Sequence, residues 1–294
     1  MDLDGNPIVF RFWNSEYKGH PPYYFCTNAP GYREYLTQQA KEALAGQPDM
    51  LLIDGIHTTA NALHQGGCFC SHCMTAFKGY VAENIPQQKL NALQIGDLNG
   101  FDYGRFLRDR GFTSTQFGRE VLAWPSKLPL ADEYLTFQQV AARGFLEEFH
   151  RAVDEMSATP IEFSTSTPLH HAKDWYPASV IDHFTIETIL HPEKRQIPED
   201  QIFRYKLADG LGKRILVTGM GNNDWTYVRD QNLKGMVRIW IAQSYAYGHN
   251  FLVPNNVWSG EDEARYESRP GNFDDLYQFV RRHADLFNGY EPVA

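Results

Sequence analysis

Apolar positions change period several times along the chain. Between residues 30 and 45, Tyr32, Tyr35, Leu36, Ala40, Ala43 and Leu44 recur near every 3.6 residues, which predicts an amphipathic helix ended by Gly46. Met50-Leu51-Leu52-Ile53-Asp54 is a continuous apolar run closed by a carboxylate, the pattern of a buried parallel strand. Residues 73 to 82 return to helical spacing, with Phe77 and Tyr80 inward. Asp132 to Met156 predicts a long helix burying Tyr134, Phe137, Val140, Ala141, Phe145, Phe149 and Val153. Further on, strand-like runs at 160–165, 181–187, 214–219 and 250–254 alternate with helical runs at 201–209, 233–247 and 273–287.

Strands alternating with helices imply βαβ crossovers and a parallel sheet. Polar and aromatic residues gather just after the strands: Asp54 and His57, Thr165 to Thr167, Glu187, Asn222 to Trp225, Asn255 to Trp258. In a (β/α)8 barrel those positions form the C-terminal rim, where active sites lie. A doubly wound sheet would normally bring a glycine-rich phosphate loop. Here Gly219-Met220-Gly221 runs into Asn-Asn-Asp-Trp, a poor start for a pyrophosphate-binding helix. The expected fold is α/β, a TIM-type (β/α)8 barrel. Only the runs starting at 50, 160, 181, 214 and 250 read clearly as strands, with Asn6 to Trp13 a weaker candidate. Closure needs eight. The barrel is therefore expected to be incomplete at its N-terminus, with strands four to eight present over residues 1–290 and residues 291–294 starting a linker.

Hydrophobic residues make up 43% of the 294 and aromatic ones 14%, enough for a large core. Net charge is −9 and no basic stripe exists to meet phosphates, which argues against a nucleic-acid partner. The apolar runs are too short to span a membrane. The start, Met1 to Gly5, lacks the basic and apolar features of a secretory signal.

Cys26, Cys68, Cys70 and Cys73 are the chain's only cysteines, in the pattern C-x41-C-x-C-x2-C. Four thiolates can close a tetrahedral zinc site, and a site closed by four protein ligands is structural, with no position left for water. Two disulfides or unpaired buried thiols are the alternatives, although Cys68 and Cys70 are too close for an unstrained bridge. His72, inside the cluster, is expected to be exposed or to lie just outside the ligand set. Reduced, metal-bound cysteines and the lack of a signal favour the cytoplasm.

The run Tyr24-Phe25-Cys26-Thr27-Asn28-Ala29-Pro30-Gly31-Tyr32-Arg33-Glu34, then a strand, then Cys68-Phe69-Cys70-Ser71-His72-Cys73-Met74-Thr75-Ala76-Phe77, resembles the zinc-bearing barrels around glycoside hydrolase family 42. The resemblance implies that Met50 to Asp54 is strand four and that zinc ties the loops after strands three and four. That family carries Asn-Glu at the end of strand four and a nucleophilic Glu on strand seven. This chain has Ile53-Asp54-Gly55 and Thr218-Gly219-Met220 there. Asp-Gly closing strand four is similar instead to the α-L-fucosidase barrels of family 151, where that Asp is the nucleophile.

On this resemblance the expected activity is that of a retaining exo-glycosidase of α-L-fucosidase type. Retention needs two carboxyl groups about 5–5.5 Å apart. Asp54 is the expected nucleophile and Glu187 the acid/base, with Glu162 or Asp224 as substitutes. Trp175, Trp225 and Trp258 are candidates to stack on sugar rings. His57, His170, His171, Asn223, Asp224 and Asn255 are candidates to bind hydroxyls. The expected partner is an oligosaccharide or glycoside, and a homo-oligomer could form through regions outside this chain. The competing readings are a β-galactosidase-like glycosidase and a carbohydrate-binding barrel without turnover. Activity of this stretch by itself is an open question.

Overall fold

The structure, a computed structural model, describes residues 1–9, 18–53, 59–121, 123, 125–166, 169, 175–188, 199–219, 224–253 and 271–290. The chain divides into two compact units. The first comprises Met1–Pro48 and Ile56–Ile161; the second, Asp49–Gly55 and Glu162–Ala294. The first unit thus joins the segment before the first strand to the long connection after it.

The first unit is helical. Its helices are α1 (Pro30–Leu44), α2 (Thr59–Ala62), α3 (Ser71–Asn84), α4 (Gln87–Ala92), α5 (Tyr103–Arg108), α6 (Ser114–Glu120) and α7 (Ala131–Met156). Helix α7 buries Tyr134, Phe137, Phe145, Phe149 and Val153, as its spacing predicts, but Ala141 is only partly buried and Val140, expected on the same face, is 46% exposed; Asp132 and Glu133 complement the dipole in its first turn. Helix α3 buries Cys73, Met74, Phe77 and Val81. Between them lies an aromatic core. Phe77 meets Tyr134 edge-on at 4.7 Å, and Phe69 stacks on Tyr134 at 5.5 Å. Tyr103 closes the group, 5.0 Å from Phe77. Deleting one such ring costs about 3–5 kcal/mol.

The second unit holds a five-stranded sheet: β1 (Met50–Ile53), β2 (Glu162–Ser166), β3 (His183–Thr188), β4 (Arg214–Gly219) and β5 (Asn250–Phe251). All neighbours pair in parallel, in the order β1-β2-β3-β4-β5. Spatial order follows chain order, without the reversal of a doubly wound sheet. Helices α8 (Glu199–Gly210), α9 (Thr226–Asp230), α10 (Lys234–Ala246), α11 (Asp274–Arg282) and α12 (Ala284–Asn288) complete the unit.

Side chains alternate along each strand, so register sorts them onto two faces. Phe163, Phe184, Ile186, Ile215, Val217 and Phe251 share one face and are buried. Trp240 of α10 packs on Phe251 with ring centroids 6.2 Å apart, so helices cover this apolar side. The other face carries the hydroxyls of Ser164, Ser166, Thr185 and Thr218 and the carboxyl group of Glu187. Ser164 and Thr185 bond to each other at 2.8 Å, and the Thr218 hydroxyl donates to Leu252 O at 3.0 Å. A buried hydroxyl is tolerated when it is bonded in this way. The run Met50 to Ile53 reads as a fully buried strand. Yet Leu52, on the hydroxyl side of the outermost described strand, is 43% exposed.

Candidate metal centre and strand-end carboxylates

Within the first unit the four cysteines converge. Their sulfurs all lie within 4.8 Å of one another, and every one is a free thiol. The Cys26 and Cys73 sulfurs are 3.5 Å apart, and those of Cys70 and Cys26 are 3.4 Å apart. These separations are far longer than a disulfide bond, about 2.05 Å. They approach the edge of a tetrahedron of sulfurs about 2.3 Å from a central zinc, about 3.8 Å. The donor set fits a soft, four-coordinate ion.

Local sequence explains the convergence. Cys70 caps α3, and Cys73 lies in its first turn, where backbone N–H groups and the helix dipole favour thiolate. Gly67 precedes the loop. A Cβ there would strike Ile8 and lie 2.5 Å from Met1 O, so only glycine fits. Leu3 N–H donates to Gly66 O and Phe69 N–H to Met1 O, pinning the loop to the N-terminal segment. Asn28 Nδ2 donates to Cys73 Sγ at 3.4 Å. Hydrogen bonding within the cluster lowers the Cys68 and Cys70 thiols and raises those of Cys26 and Cys73, so the four share protons that a bound ion would displace. His72 is exposed.

Within the second unit, Glu187 is the penultimate residue of β3, paired with Thr218. Register puts it on the hydroxyl-rich face, partly exposed. Asp224 and Trp225 do not share that face. A Cβ on Gly219 would sit 3.1 Å from Asp224 Cβ and 3.4 Å from Trp225 Cε2, so both pack where β4 lacks a side chain. Each is 1% exposed. Trp225 meets Trp240 at 5.8 Å and Phe251 at 5.9 Å, both edge-on. An indole so enclosed fills the interior behind the sheet and has no open face for a sugar.

Glu162, the substitute acid, starts β2 at the opposite end of the strands from Glu187 and bonds to His183 Nε2 at 2.8 Å. Trp175 is partly exposed just before the turn 176–180, with its indole N–H buried. Asp54, His57, His170, His171, Asn223, Asn255 and Trp258 lie outside the described residues, as do residues 291–294.

Sequence reasoning did not reach the roles of Tyr134 and Gln138, which touch the cysteine loop from α7. The Tyr134 hydroxyl donates to Cys68 O, and Gln138 Nε2 donates to that hydroxyl at 3.0 Å. The helical period marks Tyr134 as buried. A buried tyrosine needs a partner for its hydroxyl, and that requirement was the available signal.

No protein-family model matches the chain. The alpha-agarase of Alteromonas agarilytica is 25% identical over 302 residues, covering 99% of this chain and 21% of its own length. The alpha-agarase of Thalassotalea agarivorans is 26% identical over 304 residues, covering 99% of this chain and 20% of its own. The chain thus spans about a fifth of the length of the curated relatives it matches. Among solved structures, a β-galactosidase from the psychrophilic Marinomonas ef1 aligns with a TM-score of 0.53 at 13% identity. That alignment covers 92% of this chain and 45% of the β-galactosidase. The likeness shows a shared α/β fold. Among the described residues, no helix is long and apolar enough to cross a membrane.

Proposed function

We propose that the chain is the barrel region of a glycoside hydrolase acting on an agar-type polysaccharide, with Glu187 as a catalytic carboxyl group. The observation that carries the reading is the place of Glu187: next to last on a parallel strand, on the face that presents hydroxyls. Strand ends of this kind hold catalytic groups in (β/α)8 enzymes. The two relatives named alpha-agarase, similar over 99% of the chain, supply the substrate class. The strict β1-to-β5 order supports reading the strands as the fourth to eighth of a barrel.

In this reading Glu187 protonates the glycosidic oxygen as the bond breaks and then removes a proton from the incoming water. A partner carboxylate attacks the anomeric carbon from the other side. Asp54 is our candidate nucleophile because it closes the segment that begins with β1. The α-L-fucosidase reading rests on that same Asp54-Gly55 pair, and a galactosidase-like enzyme fits the fold equally well. Release of reducing ends from agar, set against nitrophenyl fucosides and galactosides, separates the three in the natural full-length protein. Turnover of fucoside alone would move the assignment to the fucosidase type.

We also propose that Cys26, Cys68, Cys70 and Cys73 hold one zinc ion. With four sulfur ligands it supplies no catalytic water and serves to tie residue 26 to the loop at 68–73. Metal analysis expecting about one zinc per chain tests this, and metal-free folded protein of undiminished stability would overturn it.

A further inference from the structure

The turn that supplies Cys26 also reaches a second member of the cluster. Asn28 Nδ2 donates to Cys73 Sγ at 3.4 Å, while the Cys26 sulfur lies 3.5 Å from the same atom. Residues 26 and 28 thus both meet one cysteine of α3. Cys73 is wholly buried, whereas Cys26 and Cys70 are partly exposed. A thiolate so enclosed has no water to solvate it, and desolvation opposes its ionisation. Four thiolates also outweigh the charge of one divalent cation, so part of their negative charge has to be dispersed into hydrogen bonds. Chemistry fixes the direction of the Asn28 bond. A metal-bound thiolate has no proton to give, so the carboxamide must offer its N–H and not its Oδ1.

The amide is held in place by contacts that involve no sulfur. Ala29 N–H donates to Cys26 O at 3.0 Å, and Arg33 Nε donates to Thr27 O at 2.7 Å. Thr27 is buried, and Pro30 opens α1 directly behind the turn. Arg33 also bonds to Glu148 of α7 at 2.5 Å, with its guanidinium 5.2 Å from the Phe145 ring centroid. The backbone on either side of residue 28 is therefore set, and little order has to be gained when an ion binds.

We propose that Asn28 is a positioning residue of the metal centre: its side-chain N–H holds Cys73 as a thiolate ligand and so sets how tightly the four cysteines keep their ion. The inference rests on the proposed zinc site. The competing role for Asn28 is to fill space in the turn. Filling space needs only the shape of the side chain, whereas the proposed role needs the N–H. Asn28→Asp separates the two, because it keeps the shape and puts an acceptor of like charge beside the sulfur.

The test uses the natural full-length protein, loaded with zinc or with cobalt(II) as a spectroscopic stand-in. Wild type should hold about one zinc at the cluster. With cobalt it should show the d–d bands of a tetrahedral ion and sulfur-to-cobalt charge-transfer bands. Asn28→Ala should raise the dissociation constant for zinc, measured against a colorimetric chelator, by about 10–100-fold. Asn28→Asp should raise it at least as much. In both variants the charge-transfer bands should move to lower energy, since a sulfur stripped of its hydrogen bond gives up electron density more readily. The d–d bands should stay those of a tetrahedral site. Melting of the zinc-loaded proteins shows which variants are folded, and the isosteric Asn28→Asp decides the matter if Asn28→Ala does not fold. Wild-type affinity and charge-transfer energy in folded Asn28→Asp would overturn the role of Asn28 and leave the zinc site standing. Weaker zinc binding with unmoved charge-transfer bands would assign Asn28 to shape and overturn it as well. A wild type that binds no zinc would overturn the metal reading, and this inference with it.

Discussion

The Tyr134 hydroxyl donates to the carbonyl of Cys68, joining the long helix α7 directly to the cysteine-bearing loop. Tyr134 is wholly buried, and Gln138 bonds to the same hydroxyl from one turn further along. Tyr134→Phe leaves the ring packing intact and orphans Cys68 O and the Gln138 amide. The expected cost is about 1–3 kcal/mol. Zinc should also be lost more readily to a chelator, because the loop that presents Cys68 is no longer held. Thermal melts and a competition titration with a colorimetric chelator check both effects. A variant as stable and as zinc-retentive as wild type would remove this link from the account.

Cys70→Ser removes one of the four proposed ligands, whose sulfur lies 3.4 Å from that of Cys26. Zinc content should fall and the melting temperature with it, while any polysaccharide hydrolysis should persist at temperatures where the variant is folded. Chelator treatment of wild type should reproduce the loss. Acid should as well, because thiolates must take up protons as the pH falls and the metal leaves. Hydrolysis lost in proportion to zinc, with folding intact, would instead assign the ion a direct part in chemistry.

Gly67→Ala should destabilise the first unit by about 1–3 kcal/mol, the cost typical of overpacking. The new methyl group would meet Ile8 and lie 2.5 Å from Met1 O. Gly79→Ala, on a helix with nothing within 4 Å of its Cβ position, is the control and should be neutral or slightly stabilising. Urea melts of the two variants should therefore move in different directions or at least differ clearly.

His249 gives the second unit a pH dependence. Its Nδ1 accepts from Ile215 N–H at 3.2 Å, and Nε2 donates to Tyr205 O at 3.2 Å, so the neutral ring bridges β4 to α8. Burial pushes its pKa below 6.5, with Arg214 and Lys206 adding to the effect and Asp209 opposing it. In the unfolded chain the group titrates near its ordinary value, so just below pH 6.5 the unfolded state binds more protons. The contribution is complete above that pH and is lost as pH falls toward the lower folded value. His249→Gln should flatten the stability profile just below pH 6.5. A profile of unchanged slope would show that another group titrates there.

Much of this architecture was legible because it repeats. Helix α7 was predicted from Asp132 and begins at Ala131. β4 was found at its observed bounds because four apolar and hydroxyl residues, Ile215 to Thr218, follow one another between Arg214 and Gly219. The cysteine spacing predicted that Cys26 would join the cluster, and it does. Helices α4, α5 and α6 were not anticipated, since six or seven residues span too few turns to show a period. Their caps were the usable signal: Asp102 accepts from Arg105 N–H, and Thr113 forms a capping box with Gln116. Trp225 was misplaced for a physical reason. An Asn-Asp-Trp run looks exposed, but Gly219 leaves a gap behind the sheet that the indole fills. Tyr35 erred in the other direction, being apolar by period and yet largely in water.

Glu187→Gln in the full-length protein tests the central claim most directly. The substitution keeps shape and hydrogen-bonding capacity at the end of β3 while removing the acid. Wild type is predicted to release reducing ends from agar polysaccharide. The variant should do so at a rate lower by about 10²–10⁴-fold, with the polymer still bound. Glu187→Gln releasing reducing ends at the wild-type rate would show that this carboxyl takes no part in the reaction.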